Sequence, residues 1–283
     1  MHHPSWAVAA SLLFVQSSSA FSCANEGVIP EPMPDVSNIV AAQAENATID
    51  VYFHIGSTEA NKDRITEKIV ADQFQVLHDV YIQYGFEFNY VNTSWVVDDV
   101  IGKGFYEEGS TIGDYDAYVA FLNATRRGSY DALNLYFFTD LPPSLGGQCN
   151  FPRPVAGDDD YNVRIDGCIL NGDTMPGLVG RNGTTQPGPR KGVIAVHETG
   201  HWFNLLHTFN GAACDTINDQ VADTPAQSGF TSGCPAERDS CPDLEGLDPI
   251  HNYMDYSDDE CLTEFTPGQQ ARMHNAFDLY RRS

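Results

Sequence analysis

A chain of 283 residues that is 42% hydrophobic, 11% aromatic and only 19% charged can bury a substantial core, which excludes disorder as its default state. Its 39 acidic residues against 15 basic ones leave a formal charge of -24, with no basic cluster. That balance argues against partners held through their own negative charge, nucleic acid and anionic membranes alike.

The first segment is an apolar run from Trp6 to Val15, followed by small polar residues and Ser18-Ser19-Ala20. It is too short to span a bilayer and reads as a cleaved signal peptide over 1–20, with histidines in place of the usual lysine or arginine at its start. Four sequons, at Asn46, Asn92, Asn123 and Asn182, are expected glycosylation sites of an exported chain. Seven cysteines then belong in an oxidising compartment; six lie between 149 and 261, and Cys23 stands apart. Spacing alone does not choose among the pairings open to six cysteines.

Residues 21–48, rich in proline and small residues, read as an extended leader or short propeptide. The folded domain is expected to begin at Ile49, where Ile49, Val51 and Phe53 alternate as in a half-buried strand. A helix is predicted over roughly 63–84, with Ile65, Ile69, Leu77, Val80 and Tyr81 along one stripe and Gly85 as its stop. Strands follow at 86–91 and 133–138, with a helix at about 115–126 between them. This alternation predicts an α/β (α+β) fold, a mixed sheet backed by helices.

From 211 to 265 the texture changes: thirteen acidic residues, one basic residue (Arg238) and four cysteines show little periodicity. Order returns at Thr266, where an N-cap threonine, Pro267 at the first helical position and Gln269 three residues after the cap predict a capping box and a helix running nearly to the C-terminus. One catalytic-sized domain over 49–283, with unequal lobes at 49–207 and 208–283, is the simplest division.

Chemistry concentrates in HETGHWFNLLH, residues 197–207. On a helix, His197 and His201 lie one turn apart on one face, with Val193, Ile194 and Val196 supplying the side that packs inward. His207 reaches the same point only if the chain turns sharply near Asn204, where asparagine is the best-tolerated residue after glycine. Three histidines would leave a fourth position for water, the arrangement of catalytic zinc. Glu198 is then the expected group that takes a proton from zinc-bound water as it attacks a carbonyl, and passes it to the leaving amine. HExxH by itself occurs in many unrelated helices; the third histidine at fixed spacing is what separates this stretch from chance.

The pattern His197-Glu198-x-x-His201-x-x-Asn204-x-x-His207 resembles the long zinc motif of the metzincin metallopeptidases, with asparagine where most members have glycine, and NYMDY supplies Met254 at the place of their Met-turn. GHWFNLLHTF, VADTPAQ, GCPAERDSCP, DPIHNYMDYSDDEC and FTPGQQARM resemble the pappalysin family, in particular its secreted fungal extracellular metalloproteases. The resemblance runs from about 49 to 276 and is most specific over 192–273. It implies a metzincin-like zincin fold: a mixed twisted sheet, an active-site helix and a backing helix above the cleft, and an irregular disulfide-linked lower lobe ending in a helix.

The same resemblance implies Tyr256 as the group that steadies the oxyanion, and Cys214 paired with Cys241. It suggests Cys234 with Cys261, leaving Cys149 with Cys168. Relatives bind calcium in the loop NDQVADTP, so Asp219, Val221 and Thr224, with Asp223 beside them, are an expected calcium site of hard oxygen donors. Asp258, Asp259 and Glu260 follow the Met-turn, where metzincins form the pocket for the residue after the scissile bond; a preference there for arginine or lysine is expected. A Cys23 thiolate could occupy zinc's open position and hold the enzyme latent, since about 26 residues at roughly 3.3 Å each give ample reach to Ile49. Its alternatives are pairing with another chain or loss with the leader.

The expected function is a secreted zinc-dependent endopeptidase of protein or peptide substrates, a monomer with no nucleic-acid or membrane partner. Two other readings compete. A zinc-stabilised secreted binding protein without catalysis would need neither Glu198 nor Tyr256, and an acidic adhesion module would leave the zinc ligands unexplained.

Overall fold

The computed structural model describes residues 22, 23, 25, 30, 33 and 46–282, apart from 109, 158–159, 181–188 and 215–218. The expected signal peptide, most of the leader and the sequon at Asn182 lie outside the described residues. In chain order the strands are β1 (Ser22–Cys23), β2 (Ala47–Ser57), β3 (Phe86–Val97), β4 (Tyr106–Glu108), β5 (Ser110–Ile112), β6 (Leu133–Phe138), β7 (Leu145–Cys149) and β8 (Cys168–Asn171). The helices are α1 (Glu67–Tyr81), α2 (Tyr115–Thr125), α3 (Tyr161–Arg164), α4 (Val193–Trp202) and α5 (Pro267–Ala276).

Six strands form one mixed sheet in the order β1-β7-β8-β6-β2-β3. The strands β3, β2, β6 and β8 run parallel, β7 is antiparallel to β8, and β1 lies parallel to β7 along its outer edge. The apolar run Leu-Asn-Leu-Tyr-Phe-Phe of β6 is buried at every position, as a strand covered on both faces must be. Beside it β2 buries Val51, Phe53 and Ile55 completely.

Helix α1 lays Val70, Leu77 and Tyr81 on the core, and the Tyr81 hydroxyl donates to the Val196 carbonyl of α4 at 2.8 Å. It starts at Glu67, four residues later than the periodicity predicts. Thr66 sits in extended backbone and its hydroxyl accepts from the Ile69 N–H, so this cap closes the helix to the residues before it. At the other end one 3-10 turn, Ile82–Tyr84, leads into Gly85 in the left-handed region (φ 85°).

Three strands differ from the sequence expectation. Strand β3 continues to Val97, because β2 offers a ladder through Ser57 opposite Val97; its outer half carries exposed Tyr90, Val91 and Trp95, with no alternation to reveal it. Strands β7 and β8 are short, and the two glycines of Leu-Gly-Gly-Gln-Cys mask a strand pattern. They are held by their ladder and by the disulfide joining the facing pair Cys149 and Cys168.

Between α4 and α5 the described residues hold no helix or strand, only an isolated bridge from Asn252 to Glu264. Disulfides Cys214–Cys241 and Cys234–Cys261 cross-link this stretch. Helix α5 opens with both halves of the capping box in place, Thr266 accepting from the Gln269 N–H and Gln269 from the Thr266 N–H. It runs into a π-helical turn, Phe277–Arg281, which brings the buried Arg281 guanidinium against Asp166 at 2.8 Å and 3.7 Å above the Trp202 ring. No helix among the described residues is long and apolar enough to cross a membrane. Asn46, Asn92 and Asn123 are all exposed.

Candidate metal centre

Helix α4 buries nine of its ten residues, including His197, Glu198 and His201. Such burial needs small residues where neighbours press closest. A Cβ on Gly200 would lie 2.5 Å from the Met254 sulfur, and one on Gly147 of β7 only 2.8 Å from Glu198 Cγ. The floor beneath the histidines and the strand beside Glu198 are thus set by two glycines.

The turn that carries His207 back is a Schellman motif with Asn204 at the left-handed position, φ 75°. Its Leu205 N–H donates to the Gly200 carbonyl at 2.9 Å and its Asn204 N–H to the His201 carbonyl at 2.9 Å. Arg272 of α5 donates to the Asn204 carbonyl at 2.7 Å, so the last helix braces the turn.

The three imidazoles converge. His197 Nε2 and His201 Nε2 each lie 3.1 Å from His207 Nε2. His197 Nδ1 faces the Tyr253 carbonyl at 2.7 Å and His201 Nδ1 the Leu205 carbonyl at 2.7 Å, acceptors that fix both Nδ1 atoms as donors and leave Nε2 as a lone pair. Burial drives His197 down to about 4 and His201 and His207 well below the ordinary histidine value, so the rings stay neutral. Converging lone pairs repel unless a cation joins them. Tetrahedral zinc with bonds of about 2.0–2.1 Å separates its ligand nitrogens by about 3.3 Å, and the histidines fit that spacing.

Glu198 is fully enclosed, and burial pushes its carboxyl up to about 8. Met254 is buried under Gly200, its N–H held by Asn252 Oδ1 at 2.9 Å. The Tyr256 ring lies 5.0 Å from that of His207 and 5.6 Å from that of His197.

The segment around Cys23 enters this centre. Cys23 Sγ and one ring nitrogen of each of His197, His201 and His207 all lie within 4.8 Å of one another. The thiol donates to Glu198 Oε2 at 3.3 Å, and the Cys23 N–H donates to the Tyr256 hydroxyl at 2.8 Å. Asn25 then pairs with β7 as a peptide would, Nδ2 donating to the Cys149 carbonyl at 2.7 Å and Oδ1 accepting from the Cys149 N–H at 3.0 Å.

Other sequence-predicted groups are dispersed. Asp219 is buried, one oxygen accepting from the Val221 N–H at 3.0 Å and the other without a hydrogen bond among the described residues. The Thr224 hydroxyl donates to the Val221 carbonyl at 2.9 Å. Asp223 instead accepts from the Thr266 hydroxyl and the Gly268 N–H at the start of α5. Of the acidic trio after the Met-turn, Asp259 is buried and accepts from the Lys191 N–H at 2.9 Å, Asp258 is half-buried and Glu260 is exposed. Sequence reasoning missed Asn25, Gly147, Phe209 and Arg272, whose roles depend on partners distant along the chain; the motif HTF, with Phe209 two residues past His207, was the one local signal.

A family model described as Pregnancy-associated plasma protein-A, peptidase M43, matches residues 178–278. An extracellular metalloprotease of Pyricularia oryzae is 40% identical over 262 residues, covering 89% of this chain and 83% of the relative. One of Colletotrichum graminicola is 41% identical over 243 residues, covering 85% and 79%. Among solved structures, a promirolysin variant of Tannerella forsythia superposes with a TM-score of 0.64 at 21% identity, covering 85% of this chain and 83% of that one. Mature mirolysin in complex with a cleaved peptide gives 0.60 at 22% identity, covering 81% and 91%. These two share the fold.

Proposed function

The chain belongs to the pappalysin family of zinc metallopeptidases, secreted enzymes acting on proteins or peptides, and from that premise we propose the residues that carry its reaction. His197, His201 and His207 would hold zinc, which when bound supplies a Lewis acid that polarises a peptide carbonyl and lowers the pKa of water. Glu198, one residue from the first ligand and pushed up to about 8 by burial, takes a proton from the attacking water and delivers it to the leaving amine. The Tyr256 hydroxyl, at the rim of the same histidines, donates to the oxyanion as charge develops. Met254 supports the floor below Gly200.

The observation that carries this reading is the approach of His197 Nε2 and His201 Nε2 to 3.1 Å from His207 Nε2, each ring neutral, with a buried carboxyl beside them. Cleavage of casein by the mature chain and its Glu198→Ala variant, with zinc measured in both, tests it. Activity lost by about a thousandfold at unchanged zinc content is the expected result. A variant that still cleaves, or a wild type that holds zinc and cleaves nothing once the leader is removed, overturns it.

The contacts of Cys23 support a latent state in which its thiolate completes the coordination of the metal while its backbone occupies Tyr256. The same reading takes 1–20 as signal peptide, 21–48 as propeptide and 49–283 as the catalytic domain, upper lobe 49–207 and lower lobe 208–283, acting as a monomer without nucleic-acid or membrane partners. Disulfides in the lower lobe would each contribute about 2–4 kcal/mol where regular structure is absent. Calcium at Asp219, with Val221 and Thr224, is supported by the unsatisfied buried oxygen of Asp219. Arginine or lysine preference after the scissile bond rests on Asp259, with Asp258 and Glu260 at its rim; Asn46, Asn92, Asn123 and Asn182 would carry glycans.

A further inference from the structure

His207 and Tyr256 must keep a fixed separation if one holds the metal and the other meets the charge that develops beside it, yet no helix or strand among the described residues joins them. Their ring centroids lie 5.0 Å apart. Phe209 packs against both, stacked on the imidazole at 4.8 Å and edge-on to the phenol at 4.9 Å. Aromatic pairs are favourable anywhere between about 4.5 and 7 Å, so ring packing alone leaves the phenol room to shift. The backbone adds a link from the Thr208 N–H to the Met254 carbonyl at 3.3 Å.

The side chain of Gln227 bridges the two stretches. Its Oε1 accepts from the Thr208 hydroxyl at 2.7 Å, and its Nε2 donates to Asp255 Oδ1 and to the Thr231 hydroxyl, each at 3.1 Å. Thr208 follows His207 and Asp255 precedes Tyr256. Asp255 Oδ1 also accepts from the Thr231 N–H at 3.0 Å, which marks it as an acceptor and turns the amide nitrogen towards it and the amide oxygen towards Thr208. Gln227 is 0% exposed, Asp255 and Thr231 1% and Thr208 2%, and at such burial each lost partner is costly. The loop that carries the amide is itself anchored, the Ser228 N–H donating to Ser240 Oγ at 2.9 Å beside the Cys214–Cys241 disulfide.

Building on the peptidase reading, we propose that Gln227 is a positioning residue: through Thr208 and Asp255 its amide sets the Tyr256 phenol against His207, where the oxyanion forms. A donor to a developing charge serves only when it is held within about 0.5 Å, and a displacement of about 1 Å can cost a hundredfold in rate. Hydrogen bonds at both ends of one buried amide supply the tolerance that ring packing lacks.

A double-mutant cycle of Gln227→Leu with Tyr256→Phe in the mature, zinc-loaded chain tests this, with kcat, KM and zinc content measured throughout. Tyr256→Phe is expected to lower kcat by about a hundredfold. Gln227→Leu is expected to lower kcat about tenfold at unchanged KM and zinc content, and to cost less than about twofold more once the Tyr256 hydroxyl is gone. A merely structural amide would cost the same in both backgrounds. In the metal-free chain Gln227→Leu should speed hydrogen exchange over 253–257 and leave α1 unchanged. Where Gln227→Leu does not fold, Thr208→Val breaks the bridge from its other end with the same expected losses, and Thr208→Ser, which keeps the hydroxyl, retains the wild-type kcat. Equal losses in the two backgrounds, unchanged exchange, or a broken bridge with full kcat overturn the positioning role and leave the peptidase reading standing. Full activity in Tyr256→Phe overturns the part given to Tyr256 and this inference with it, and a wild type that cleaves nothing overturns the peptidase reading as well.

Discussion

Asp219 shows at a single residue what burial does to a carboxyl that Arg272 only partly offsets. Desolvation pushes its carboxyl from 3.8 up to about 7, and one of its oxygens finds no hydrogen-bond donor among the described residues. Between those two values the folded chain holds a proton that the unfolded chain has released. Stability from this group is therefore complete below about 4 and falls by roughly 1.4 kcal/mol per pH unit until it is lost above about 7. Calcium, if bound there, reverses the penalty by favouring the anion. Thermal midpoints in chelator should fall more steeply from pH 4 to 7 for wild type than for Asp219→Asn. At pH 8, calcium should raise the wild-type midpoint and leave that of the variant unmoved. Equal midpoints of wild type with and without calcium at pH 8 would remove the ion from this loop.

At the scale of elements, what could be read from the sequence was local. The capping box of α5, the two histidines one turn apart on α4 and the turn at Asn204 each follow from residues within a few positions of one another. Strands β7 and β8 escaped because four or five residues interrupted by glycine carry too little pattern, and their pairing is decided by neighbours in space. The brace under α4 escaped for a similar reason. Arg281 donates to the Trp202 carbonyl at 3.1 Å and pairs with Asp166, which also accepts from the Trp202 indole at 3.0 Å, a contact 115 residues long in sequence. Replacing one partner strands a buried charge. Arg281→Ala should cost about 3–5 kcal/mol in urea unfolding, and adding Asp166→Asn should recover part of it, because the amide has no charge left to desolvate. A loss below about 1 kcal/mol would mean that Arg126, 4.0 Å from Asp166, already carries the pair.

For the whole molecule, the decisive contact is between the N-terminal segment around Cys23, the proposed leader, and the histidine centre. Strand β1 runs along β7, Asn25 copies a peptide's hydrogen bonds to Cys149, the Cys23 backbone occupies Tyr256 and its thiol reaches Glu198 and the three imidazoles. Each contact is weak alone. Tethering makes them strong, because a leader joined to the domain acts at an effective concentration of about millimolar, so a site that binds it with a dissociation constant of about 10 μM is closed roughly 99% of the time. Cutting the chain between Asn25 and Ala47 removes the tether without removing the contacts. A nicked sample at about 100 μM should therefore stay mostly latent and become active on dilution below about 1 μM, whereas the uncut chain stays latent at every concentration. Cys23→Ser in the uncut chain should raise activity while leaving β1 in place, and Asn25→Ala should add to that gain. Latency unchanged by Cys23→Ser but relieved by Asn25→Ala would assign the block to the strand at the edge of β7 and leave the thiol a bystander.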